Sequence, residues 1–98
     1  MSKFGELIGT SIPVLLDFYT DWSKTCEEMN PVLREVASAL GETARVIKID
    51  VDKNKELAEA LLVKDLPTLM IYKNGDMKWR QSGELDAETL IDLVKEYI

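Results

Sequence analysis

Between Val14 and Thr20 the chain reads Val-Leu-Leu-Asp-Phe-Tyr-Thr, a short and almost unbroken apolar run. Such a run suits a strand covered on both faces, as in the middle of a sheet that carries helices above and below it. Whatever fold the chain adopts must supply that double cover. The run also contains an anomaly, because the Asp17 carboxylate would lose on the order of several kcal/mol of hydration there unless it is paired or protonated.

The segments around this strand alternate in type. Phe4, Leu7 and Ile8 are spaced for a short amphipathic helix that Gly5 and Gly9 weaken. From Lys24 to Leu40 the residues Cys26, Met29, Leu33, Val36, Ala37 and Leu40 recur at three- and four-residue steps, and Gly41 follows as a C-cap. This predicts a long amphipathic helix, with Pro31 inside it removing a backbone donor and favouring a kink near residues 27–30. Arg45 to Asp50 reads as a strand, and Lys55 to Leu62 as a helix with Leu57, Ala58, Leu61 and Leu62 inward. Thr68 to Lys73 and Met77 to Ser82 flank Asn74-Gly75, the dipeptide that best tolerates the positive φ angles of a tight hairpin. After Gly83, Asp86 can cap a last helix with Leu90, Ile91, Val94 and Ile98 on one face and Leu85 stapled against Leu90.

With 98 residues, no repeat and no linker, these elements make one domain spanning residues 1–98. The chain has one cysteine, Cys26, and no histidine. That inventory excludes an intramolecular disulfide, a Ser-His-Asp triad, a Cys-His dyad and the common zinc sites, so no cofactor and no metal is expected. A reducing, cytoplasmic location is the default for such cysteine usage. The net charge of −6 opposes binding to nucleic acid or to anionic lipid. The longest apolar stretch, Ile12 to Tyr19, falls short of the roughly 20 residues that span a bilayer, and the first residues lack the pattern of a signal peptide. The chain therefore reads as complete, soluble and monomeric.

The segment Asp21-Trp22-Ser23-Lys24-Thr25-Cys26 leads from the central strand to a helix N-terminus, where unpaired N–H groups and the helix dipole favour an anion. Here the chain resembles the thioredoxin family, whose Trp-Cys-x-x-Cys redox motif occupies the same strand-to-helix position. The resemblance runs from about Pro13 to Ile98. Asp17 matches the family's buried aspartate, Lys48 its strand lysine, Pro31 its helix proline, Leu66-Pro67-Thr68 its cis-proline loop, and Gly83 the glycine beside the active site. It implies an α/β thioredoxin fold, a mixed sheet of about four strands flanked by helices on both faces. It also implies a thiol-disulfide oxidoreductase that acts on protein disulfides and is recharged by a thioredoxin reductase.

Three departures stand out. Ser23 takes the place of the nucleophilic first cysteine, Lys24-Thr25 replaces the familiar Gly-Pro, and the usual N-terminal strand is missing or very short. A serine hydroxyl without a histidine base is not ionised and does not attack sulfur, so this form should not turn over. Ser23 is either an introduced Cys-to-Ser change or the mark of a natural redox-silent module that binds extended peptides or a partner protein. Taken alone it is simply a helix N-cap.

The resemblance makes Cys26 the resolving thiol and Asp17 its proton acceptor, directly or through a water, with Lys48 as the partner that moderates Asp17. Without it, Cys26 is a small buried core residue, and Asp17 with Lys48 is a structural ion pair. Trp22, Leu66, a cis Pro67 and Gly83 would form a shallow groove for an extended substrate chain. Singly, Trp22 is a packing residue and Pro67 a strand-start proline.

Overall fold

The computed structural model describes residues 3–98. The elements run α1 (Lys3–Ile8), β1 (Val14–Tyr19), α2 (Lys24–Leu40), a 3-10 turn (Gly41–Thr43), β2 (Arg45–Asp50), α3 (Lys55–Ala60), β3 (Thr68–Lys73), β4 (Asp76–Ser82) and α4 (Ala87–Lys95). The sheet order is β2-β1-β3-β4, with β1 parallel to β2 and antiparallel to β3, and with β3 and β4 joined as an antiparallel hairpin. This is the thioredoxin fold. No strand precedes β1 among the described residues.

β1 lies inside the sheet and is buried from Val14 to Phe18, as its composition requires. The two-residue period of the strands divides the core into two layers. On one face Leu15, Leu69 and Ile71 pack with Met29, Leu33 and Val36 of α2 and Leu90 and Val94 of α4. On the other, Val14, Leu16, Phe18, Ile49, Met70 and Tyr72 pack under Ile8 and Phe4 of α1 and Leu57 of α3. Each fully buried aliphatic or Phe side chain contributes about 1.5–3 kcal/mol relative to exposure, so both layers are needed to offset chain entropy in a domain of this size.

α1 owes its place to tertiary contacts more than to propensity. The Phe4 ring meets Tyr72 edge-on with centroids 5.6 Å apart, and the Ile8 and Thr10 carbonyls accept 2.9 Å bonds from the Gly75 and Asn74 amides. That turn has φ of 54° at Asn74 and 84° at Gly75, the two positive angles the dipeptide predicts. The helix from Lys24 to Leu40 runs as one element through Pro31, with Gly41 at its C-cap.

Three expectations fail at the ends and edges of helices. α3 stops at Ala60, and Leu62 turns outward, 66% exposed, with φ of 55°. The Arg80 guanidinium takes the Leu61 and Leu62 carbonyls, which fixes the chain in this left-handed exit. Ala37 lies on the exposed flank of α2. Ile98 lies beyond α4 and is 56% exposed. β4 also begins at Asp76, one residue earlier than the hairpin pattern places it. No helix among the described residues is long and apolar enough to cross a membrane.

Candidate active site

At the end of β1 the chain turns through Thr20 to Ser23 and enters α2. Ser23 is the N-cap, with φ −88° and ψ 118°, and its Oγ accepts a 3.3 Å bond from the Cys26 amide. Its carbonyl accepts a 3.1 Å bond from the Glu27 amide and starts the helical ladder. These bonds satisfy donors that the first turn of a helix would otherwise leave unpaired. They also place Cys26 at the third helical position, facing inward and only 2% exposed.

Sheet register brings the other predicted residues to this same end. Phe18 pairs with Thr68 and Thr68 with Ser82, so the exit of β1, the entry of β3 and the exit of β4 are neighbours. The Leu66–Pro67 peptide just before β3 is cis. The Gly83 amide donates a 2.8 Å bond to the Pro67 carbonyl, and Gly83 adopts φ of 99°, a conformation glycine takes without strain. The Thr68 hydroxyl bonds the Asp65 carbonyl and lies 3.1 Å from the Ser82 hydroxyl, which closes the loop. Among the described residues, no hydrogen bond involves the Leu66 backbone. Tyr19 pairs with Asp50 at the end of β2, and Trp22, 74% exposed, donates from Nε1 to Asp52 Oδ2 at 3.0 Å.

Beneath α2, Asp17 is fully buried, and no described group hydrogen-bonds either carboxylate oxygen. Burial raises its pKa from 3.8 to about 6, against an opposing pull from the Lys48 charge. The direct ion pair considered from sequence is not formed. Asp17 and Lys48 are in-register neighbours on adjacent strands, yet Lys48 Nζ donates to Asn30 Oδ1 at 2.6 Å and lies 4.3 Å from the Tyr19 ring centroid. Between β1, β2 and α2 lies a cavity of about 140 Å³, lined among others by Thr20, Cys26, Asn30 and Lys48. Thr20 is 2% exposed, and no described group hydrogen-bonds its hydroxyl.

Asn30, Thr20 and Asp52 are parts of this region that sequence reasoning did not single out. Asn30 was within reach of it, since it stands one helical turn after Cys26 and so shares its face. Asp52 had no signal, because its role depends on where the loop after β2 turns. In chemical terms the arrangement is a helix N-terminus over a buried thiol, a buried unpaired carboxyl beneath them, and a shallow surface with open backbone groups.

Comparison with known proteins agrees with the geometry. The family model described as Thioredoxin matches residues 1–96. The chain is 41% identical over 95 residues to the chloroplastic thioredoxin Y of Oryza sativa subsp. japonica, covering 96% of this chain and 56% of that protein. It is 36% identical over 98 residues to a thioredoxin-like protein of Synechocystis, covering 99% of this chain and 93% of that one. A mutant thioredoxin from Halobacterium salinarum superposes with a TM-score of 0.87 at 34% identity, over 99% of this chain and 84% of that one.

Proposed function

The chain belongs to the thioredoxin family, and from that premise we propose that its site is that of a protein thiol-disulfide reductase in which Ser23 occupies the position of the attacking cysteine. The observation that carries this reading is the bond from the Cys26 amide to Ser23 Oγ. It sets a nucleophile-sized side chain at the helix N-terminus, one turn from a buried thiol, and the dipole there favours a thiolate over a thiol. A hydroxyl in that place gains little, and the chain holds no histidine to ionise it. In this form the protein binds and does not turn over.

With sulfur at position 23 the exchange proceeds by two successive attacks of thiolate on disulfide. Its thiolate attacks one sulfur of a substrate disulfide, forms a mixed disulfide and expels the other substrate sulfur as a thiolate. Asp17 accepts the proton of Cys26, whose sulfur then attacks position 23, and the second substrate thiolate leaves. Two electrons pass to the substrate, and a reductase must return them. Leu66, Pro67, Gly83 and Trp22 hold the substrate chain in an extended form beside the reacting sulfurs. The single cysteine fits a reducing compartment such as the cytoplasm.

The experiment is Ser23→Cys. The variant should lose two mass units on mild oxidation, as a 23–26 disulfide forms, and should then reduce a model protein disulfide when a dithiol regenerates it. A variant that folds but shows neither property would leave the second reading, a module that binds extended peptides. That reading is favoured by the open Leu66 backbone and the exposed Trp22.

A further inference from the structure

The Lys48 ammonium has two acceptors to choose between, and it takes the neutral one. Lys48 and Asp17 are register partners on parallel strands, so their side chains rise from the same face of the sheet. A carboxylate attracts a cation more strongly than an amide oxygen does, although the Lys48 side chain is solvent-exposed and its ammonium would lose hydration by moving inward. Lys48 Nζ nevertheless sits 2.6 Å from Asn30 Oδ1 and over the Tyr19 ring, while no described group hydrogen-bonds either Asp17 oxygen. Asn30 belongs to α2, and Tyr19 to the end of β1, so the amine is held from two elements.

We propose that Asn30 is a positioning residue that, with the Tyr19 ring, anchors the Lys48 ammonium at the wall of the cavity and so leaves the Asp17 carboxyl without a counter-ion. The inference rests on the reading of Asp17 as proton acceptor only for its consequence: a carboxyl paired with a lysine is a weaker base towards the proton of a thiol. Among the described residues that line this region, Lys48 is the only cation. α2 supplies Cys26 and Glu27, the end of β1 supplies Tyr19 and Asp21, and β3 presents the apolar Leu69 in register with Asp17. Burial raises the Asp17 pKa and Lys48 opposes it, so the distance of the amine decides how far the opposition goes.

The test is the titration of the Asp17 carboxyl carbon by ¹³C NMR, in protein that keeps Ser23 and needs no turnover. A failed reductase assay on Ser23→Cys therefore leaves this result standing, and the reverse also holds. Asn30→Ala suits a helix interior and frees the amine. It should lower the Asp17 midpoint by about one pH unit, as an opposite charge closing to within a few ångströms does. Lys48→Gln should raise the midpoint, and Asn30→Ala added to Lys48→Gln should change nothing further. An unchanged midpoint in Asn30→Ala would overturn the proposal. So would an equal fall in the Lys48→Gln background, since the effect of Asn30 would then not pass through the lysine.

Discussion

α2 and α4 begin in the same way and serve different ends. Each has a polar side chain at the N-cap that accepts a hydrogen bond from the amide three residues on, Ser23 from Cys26 at 3.3 Å and Asp86 from Thr89 at 2.9 Å. The α4 start rests on apolar residues, with Ala87, Leu90 and Val94 buried behind it, and its charged cap lies in solvent. The α2 start rests on a buried thiol and a buried carboxyl that no described group hydrogen-bonds. One start is arranged to hold a helix. The other gives up capping strength and buried-polar satisfaction, and such losses gather at functional sites.

The sharpest break of the symmetry is chemical. Ser23→Cys should take the protein from no measurable disulfide reduction to catalytic reduction, read by turnover of a model protein disulfide with a dithiol donor. The parent chain is the control. In that parent, Cys26 should react with a thiol reagent about 10²-fold more slowly in the native state than in denaturant, the factor that a local opening of about 3 kcal/mol imposes. Equal rates would show the thiol to be open to solvent, and the α2 start would then resemble the α4 start in lying over nothing that matters to chemistry.

Next in size is the carboxyl beneath α2. The Asp17 pKa is raised from 3.8 to about 6, so below pH 3.8 the group is neutral in both states and costs nothing by ionisation. As pH rises above 3.8 the unfolded chain ionises and the folded one resists, and stability is lost until the folded group also ionises near 6. That interval, at about 1.4 kcal/mol per tenfold, amounts to about 3 kcal/mol at neutral pH. Asp17→Asn should recover about 2–3 kcal/mol at pH 7 and none at pH 3.5, measured by denaturant unfolding across pH. Destabilisation at every pH would instead mean that Asp17 is held ionised by Lys48. In the Ser23→Cys background the same change should slow reduction, because Cys26 loses its acceptor.

What could be read from the sequence follows from how local each signal is. The central strand, the long helix and the hairpin were legible, since each depends on a period or a dipeptide: the run Val14 to Tyr19, the stripe through Met29, Leu33 and Val36, and Asn74-Gly75. The burial of Asp17 followed from its place in that run. The end of α3 was not legible, because Leu62 is turned out by Arg80, 18 residues away in β4. The contact of the Lys48 ammonium with Asn30 was not legible for the same reason, although the Lys48 charge does act on Asp17 as its place in register suggests. Strand register places it beside Asp17, but its choice of Asn30 depends on how α2 crosses the sheet.

The smallest effects compare the two caps directly. The Asp86 carboxyl is held below its usual value, first by its hydrogen bond with Thr89. A lowered folded-state value means that its stabilisation is present above the ordinary carboxyl range and is lost as pH falls through the folded value. Asp86→Ala should therefore destabilise the protein at pH 7, and the penalty should shrink as pH falls below the ordinary carboxyl range towards the lowered folded value, where the carboxyl loses the negative charge it brings to the helix N-terminus. Ser23 has no such charge and a longer bond. Ser23→Ala should cost about 0.5 kcal/mol, at the low end of the range for N-caps, and the cost should be the same from pH 3 to pH 8. Urea midpoints for the two variants across that range decide the matter. A larger loss for Ser23→Ala than for Asp86→Ala at pH 7 would show that the α2 start is built for capping after all, and that a side chain at position 23 is chosen for its hydrogen bond and not for its place beside Cys26.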